Sequence, residues 1–212
     1  MLSSSGLSIS YDSNEIIFPD LTIPKGEHHL IIGESGSGKT SLLNILGGLL
    51  EPSTGKVEID GIDISTLKRS KLDSFRGNTL GFIFQTPHFV KSLNVLDNLL
   101  LTQFCAGKKN QKEDVLFFLE KVGLEQKVNA KISSLSEGEK QRISIVRGLL
   151  NTPKIILADE PTSALDDRSC KKVIDLMIEL ANEVDATLLI VTHDKRLKDQ
   201  FERRVEIWIY LS

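Results

Sequence analysis

The 212 residues are 40% hydrophobic and 26% charged, the balance of a globular protein of one or two domains with a sizeable core. With 26 Lys+Arg against 29 Asp+Glu the net charge is −3, so no surplus of cations is available for a phosphate backbone, which argues against nucleic acid as the main partner. The longest apolar runs, 155–158 and 188–191, fall far short of the roughly 20 residues of a membrane-spanning helix. The start, Met1-Leu2-Ser3-Ser4-Ser5, lacks the basic and apolar regions of a secretory signal, and Cys105 and Cys170 stand apart from any Cys-x-x-Cys spacing. The expectation is a cytoplasmic chain with reduced thiols.

The N-terminal stretch alternates. Leu7 and Ile9 flank a serine, 16–18 follow a turn-like Asp12-Ser13-Asn14, and Leu21 and Ile23 precede Pro24-Lys25-Gly26, which predicts short antiparallel strands. Three apolar runs, 29–32, 154–158 and 187–191, show little polar alternation and read as strands buried on both faces, as in a parallel sheet. Helical spacing marks 40–50, 112–122, 137–150 and 171–182, so strand and helix alternate in an α/β fold. The stretch 86–135 is mainly helical in pattern and predicts a helical subdomain inserted into the sheet. With no linker or repeat in sight, residues 1–212 read as one domain.

Gly33-Glu34-Ser35-Gly36-Ser37-Gly38-Lys39-Thr40 fits G-x-x-x-x-G-K-[ST] directly after an apolar strand and before a helix, the context of a P-loop NTPase core. Glycines let successive backbone N–H groups turn inward, and the helix start adds the positive end of its dipole, making a seat for phosphate oxygens. Lys39 reaches the β- and γ-phosphates, and Thr40 offers a hydroxyl to Mg²⁺. A phosphate seat serves kinases, GTPases and transport ATPases alike. The run Ile155-Ile156-Leu157-Ala158-Asp159-Glu160 adds two carboxylates at a strand end: Asp159 to orient the Mg²⁺ shell and Glu160 to polarise an attacking water. His193 ends the next apolar strand and, where the strands are neighbours, can bond to the γ-phosphate.

Leu135-Ser136-Glu137-Gly138-Glu139-Lys140-Gln141-Arg142 lies shortly before the Asp159 strand, and with it nearly the whole chain resembles the ATP-binding subunit of an ABC transporter. The resemblance implies roles in order. Tyr11 stacks on adenine, and Gly33 to Thr40 is the Walker A motif, with Ser41 beside it on the nucleotide. Gln85 in Gly81-Phe82-Ile83-Phe84-Gln85 is the Q-loop residue, joining Thr40 and Asp159 on Mg²⁺ and its waters. Ser136 and Gly138 belong to the signature that meets the γ-phosphate held by the other subunit. Glu160 is the general base, Asp166 of Ala164-Leu165-Asp166 links the two sites, and His193 is the switch histidine. ATP and Mg²⁺ are the implied cofactors; two cassettes, identical or paired, sandwich two ATP and hydrolyse them to ADP and phosphate.

A separate transmembrane permease subunit is implied, docking around Gln85 to Asn98 and holding the chain on the cytoplasmic face of the membrane. The segment 86–98 is also similar to compact cassettes of the lipoprotein-releasing and macrolide-exporting type, although Phe89 and Val90 equally suit a helical core. The signature departs from the family's L-S-G-G-Q: Glu137 replaces a glycine and Glu139 the glutamine, placing negative charge near a phosphate unless those side chains point away. The short stretch after His193, strand-like over 205–211, leaves no room for a regulatory domain. Two other functions share these motifs: a cassette coupled to a non-transport membrane process, and an ATP-gated dimerising scaffold that barely hydrolyses. The roughly 50 residues between Gln85 and Leu135 cannot hold the long coiled coil of DNA-repair ATPases, and a small-molecule kinase has no use for the signature.

Overall fold

A computed structural model describes residues 1–11, 14–109, 111–163 and 165–207. The alternating N-terminal segments form β1 (Leu2–Tyr11), β2 (Asn14–Ile17) and β3 (Leu21–Ile23), with β2 and β3 both antiparallel to β1. The predicted turn residues Asp12 and Ser13 lie outside the described residues. β4 (His29–Gly33) enters the P-loop and α1 (Lys39–Leu46) leaves it. The chain returns to the first sheet as β5 (Thr54–Ile59), antiparallel to β1, and β6 (Ile62–Asp63), antiparallel to β5. Then α2 (Arg69–Thr79) leads into β7 (Leu80–Ile83), α3 (Val95–Cys105) and α4 (Lys112–Lys121) follow, and α5 (Glu137–Leu149) precedes β8 (Ile155–Asp159). α6 (Asp167–Glu183), β9 (Thr187–Thr192) and β10 (Arg203–Ile207) complete the described chain.

The three apolar runs form the centre of a second sheet, ordered β10-β4-β9-β8-β7 with every pairing parallel. Alternation decides what covers each face. Leu30 and Ile32 of β4, Ile156 and Ala158 of β8, and Leu188 and Ile190 of β9 pack with α3, α4, α5 and α6. Their neighbours Ile31, Leu157, Leu189 and Val191 pack with α1 and the antiparallel sheet. Each Leu or Ile withdrawn from water there contributes about 1.5–3 kcal/mol, so the parallel sheet is the shared wall of two cores.

The differences from expectation have local causes. α1 stops at Leu46 instead of 50, because the Gly47 N–H closes on Leu43 O and Gly48 takes the left-handed φ of 63°. α6 starts four residues before the apolar pattern, because the Asp166 carboxylate accepts the Ser169 N–H at 3.0 Å and caps a polar first turn. α2, β5, β6 and β7 are additions to the predicted elements. The strand expected over 205–211 is β10, Arg203–Ile207, and 208–211 lie outside the described residues.

α5 rests directly on β7. A Cβ on Gly81 would stand 2.0 Å from the Gly148 carbonyl oxygen, so only glycine permits this approach of helix to strand. Gly81→Ala is expected to lower the unfolding free energy by about 2–3 kcal/mol, read from the midpoint of a urea titration; a parent-like midpoint would show that α5 is free to move away.

Candidate active site

The P-loop is braced from the antiparallel sheet side. Gly38, the cap residue of α1, has φ 79°, and a Cβ there would come within 3.2 Å of the Phe18 ring and 3.3 Å of Ile16. The left-handed backbone strains any side chain here, and the Phe18 and Ile16 side chains would have to shift to admit one. Lys39 is buried, and its Nζ donates to Gly33 O at 2.9 Å and Glu34 O at 2.7 Å, so the ammonium is held across the loop's own mouth. Burial pushes this ammonium below its ordinary range, while the carboxylates of Glu160 and Asp159 pull it back.

β8 and β9 are paired, with Asp159 opposite Val191, which brings Asp159, Glu160 and His193 together as the sequence predicts. Thr40 donates its hydroxyl to Asp159 Oδ2 at 2.9 Å. Asp159 Oδ1 is buried without a hydrogen-bond partner, and burial raises the carboxyl's pKa despite the Thr40 bond. Glu160 is a non-glycine residue at φ 45°, held there by its N–H on Val191 O at 2.9 Å. Its carboxylate accepts the Thr192 hydroxyl at 2.7 Å on one oxygen; on the other it accepts the His193 N–H at 2.9 Å and His193 Nδ1 at 2.7 Å. A carboxylate has no proton to give, so Nδ1 carries the one in that bond. Lys39 Nζ lies 4.0 Å from the same Glu160 oxygen.

A cleft of about 460 Å³ gathers Tyr11 and Ile16, the P-loop, Gln85, Glu160 and His193 on one surface. Tyr11 is exposed, and its hydroxyl lies 3.1 Å from Ser41 Oγ. Gln85 follows β7, and its amide donates to Ser163 Oγ at 3.4 Å. Ser37 is buried beneath the loop. Ser136, Gly138 and Asp166 do not line this cleft. Asp166 caps α6, and Ala164 of the same segment lies outside the described residues.

Ser136 caps α5 through a reciprocal box: its Oγ accepts the Glu139 N–H at 3.3 Å, while Glu139 Oε2 accepts the Ser136 N–H at 2.8 Å and its hydroxyl at 2.9 Å. The other Glu139 oxygen pairs with Lys127 at 3.1 Å. Glu137 pairs with Lys140 at 2.7 Å and is exposed. Both unusual carboxylates therefore have a cation of this chain beside them.

A family model described as ABC transporter matches residues 19–163. The lipoprotein-releasing system ATP-binding protein LolD of Legionella pneumophila (strain Lens) is 39% identical over 186 residues, covering 87% of this chain and 82% of that protein. The chain belongs to the ABC transporter family. The protein named LolD from Bacteroides fragilis (strain YCH46) is 36% identical over 210 residues, 98% of this chain and 97% of its own length. The dimeric structure of a bacterial ABC transporter cassette is similar at a TM-score of 0.88 and 33% identity, covering 98% of this chain and 94% of that one. The same cassette is known as a dimer in a post-hydrolysis state bound to ADP and Pi, with the same TM-score of 0.88.

As an ABC transporter ATP-binding subunit the chain binds nucleotide and hydrolyses ATP, and its α/β cassette fold is the one the sequence predicts. Thr192 is the residue that motif reading passes over. Its only signal is a polar side chain at the end of the otherwise apolar stretch 188–191, and its partner is visible only once β8 and β9 are in register.

The Ser136 N–H, Lys127 and the Ser136 hydroxyl together hold the Glu139 carboxyl down at about 2, against an ordinary 4.5. A depressed carboxyl contributes its stabilisation fully above pH 4.5 and loses it as the pH falls through about 2, so the cap should persist through mild acid. Carboxyl ¹³C titration by NMR is expected to place the Glu139 midpoint near 2, and Lys127→Ala to move it upward.

Proposed function

We propose that this cassette binds ATP with Mg²⁺ at the cleft, closes as a two-fold sandwich over two ATP molecules, and works through a separate membrane permease of the lipoprotein-releasing type. The whole chain acts as one catalytic unit with 86–135 as its helical insertion. The observation that carries the reading is the Glu160 carboxylate at the end of β8, bonded to His193 and facing the P-loop lysine across 4.0 Å.

Asp159 Oδ1, buried and unpaired beside the Thr40 hydroxyl, suits a hard cation that takes few protein oxygens alongside phosphate and water. Thr40 and Asp159 would hold Mg²⁺, with Gln85 reaching its waters; the ion supplies charge neutralisation to the phosphates. The chain's residues do the rest. P-loop N–H groups and Lys39 take the phosphate oxygens, Lys39 exchanging its bonds to Gly33 O and Glu34 O for them. Glu160 accepts a proton from the attacking water, and His193 orients Glu160 and the γ-phosphate. Tyr11 stacks on the base. Ser136 and Gly138 at the start of α5 meet the γ-phosphate bound by the partner, and Asp166 faces the partner site. ADP and phosphate leave once that bridge is cut.

The permease has a surface suited to it. A groove of about 520 Å³ runs past His88, Val90, Leu101, Phe84 and Arg147, with exposed apolar side chains at Leu49, Val90 and Leu101. Phe89 is partly buried against the core and lies under Arg147, 4.8 Å from ring centroid to guanidinium carbon, so Val90 rather than Phe89 offers contact. Among the described residues no helix is long and apolar enough to cross a membrane; the peripheral position on the cytoplasmic face follows from the proposed permease.

Glu160→Gln is expected to lower phosphate release on the order of a hundredfold or more and to give an ATP-dependent dimer in size-exclusion chromatography. A mutant that stays monomeric with ATP, beside a parent that does not turn ATP over, would sink the sandwich reading and favour a degenerate scaffold. Because Lys140 already neutralises Glu137, Glu137→Gly is expected to change turnover by less than about threefold; a tenfold rise would mean that the carboxylate repels the phosphate despite its partner.

A further inference from the structure

An unbroken line of hydrogen bonds leads from Glu160 out of the cleft to residues 165–167. Thr192 is fully buried; its Oγ1 donates to Glu160 Oε2 at 2.7 Å and accepts the Asp194 N–H at 3.0 Å. A hydroxyl with one proton has its direction fixed by that pair of bonds. The Asp194 carboxylate is gripped by Arg196, whose Nε lies 2.8 Å and 2.9 Å from its two oxygens and whose Nη2 lies 2.6 Å from Oδ2. The same guanidinium reaches the other way. Nη1 donates to the Asp167 carboxylate, and Nη1 and Nη2 each lie 3.4 Å from the Leu165 carbonyl oxygen. One planar cation thereby fixes the loop after β9 and the turn before α6 in a single geometry.

We propose that Arg196 is a positioning residue for ATP hydrolysis, coupling the 165–167 segment to Glu160 through Asp194 and Thr192. This rests on the reading of that segment as the part of the cassette that faces its partner. A partner that seats Asp166 also seats Asp167 beside it, and the guanidinium passes that placement to Asp194. The Asp194 N–H sets the Thr192 oxygen, and the Thr192 proton sets the Glu160 carboxylate. A lysine could pair with either carboxylate but could not bridge both and the Leu165 carbonyl, because it lacks the planar fork.

The test is steady-state ATPase kinetics of the full chain. Arg196→Ala is expected to lower kcat about tenfold, the scale of losing a charge-assisted link, with the ATP KM within about twofold and the urea midpoint unchanged. Arg196→Lys should recover only part of the loss. Asp167→Asn, at an exposed carboxylate, should also lower kcat, and the double variant should be no slower than Arg196→Ala, because both substitutions cut one link. A parent-like kcat in Arg196→Ala overturns the proposal. So do losses that multiply in the double variant, or a kcat loss matched by a lower urea midpoint with Lys no better than Ala. An unmodified chain without ATP turnover overturns the proposed function and this inference with it, an outcome distinct from an active chain in which Arg196 and Asp167 are uncoupled.

Discussion

Parallel registration of β4, β9 and β8 is the constraint on which the site depends. Ile32 pairs with Thr192, and Asp159 pairs with Val191, so each strand ends within a residue of its neighbour and the three deliver the P-loop, Glu160 and His193 to the same end of the sheet. A slip of one residue would reverse every side chain. Leu30, Ile32, Ile156, Leu188 and Ile190 would leave the helical face for the antiparallel one, and the Glu160 carboxylate would lose Thr192 and His193 together. The hydrophobic cores on the two faces therefore hold the chemistry as well as the fold, since each buried row of side chains rules out the alternative register.

What was legible in the sequence follows from how local each signal is. The P-loop announces itself because its glycines, its lysine and its flanking strand and helix are contiguous, and the three apolar runs are legible because strands buried on both faces need no alternation. β7 is only four residues long and carries Gly81, whose reason is a carbonyl of α5 far along the chain. α2 has only Leu72 and Phe75 to set against nine polar or small residues, so its period is faint. α6 begins on Asp167, Arg168 and Ser169, a first turn with no apolar residue, and only the Asp166 cap marks it. Thr192 and Arg196 each have a near neighbour in Asp194, but the reach of Thr192 to Glu160 and of Arg196 to Leu165 and Asp167 could not be read, because it is decided by sheet register and by the docking of α6.

The signature shows how a local departure is absorbed. Two carboxylates enter the first turn of α5, where the helix dipole favours them but a phosphate does not. Each is matched by a lysine, Glu137 by Lys140 on the next turn and Glu139 by Lys127 in the segment before the helix. The local charge is thus close to that of an uncharged signature. The two pairs differ in consequence. Glu137 and Lys140 sit at the surface, where an ion pair adds little to stability, so their effect is mainly on the field met by an approaching phosphate. Glu139 is tied into the cap itself, and its grip on the Ser136 hydroxyl means that donating this proton to a phosphate requires exchanging one anionic acceptor for another.

Glu160 illustrates the same exchange in the cleft. A left-handed non-glycine residue costs on the order of 1–3 kcal/mol, and here its N–H on Val191 O together with the donors on its carboxylate offset that cost. Lys39 is likewise satisfied by two carbonyl oxygens of its own loop. Three donors thereby fix the orientation of the carboxylate. The bonds differ in how readily they yield. Thr192 is buried and locked by Asp194, whereas His193 is half exposed at the cleft, so the His193 side chain is the donor that a γ-phosphate can draw away. In the reading proposed above, an arriving phosphate would draw Lys39 from the carbonyls and the His193 side chain from Glu160 together, loosening one Glu160 oxygen at the place where the attacking water is needed.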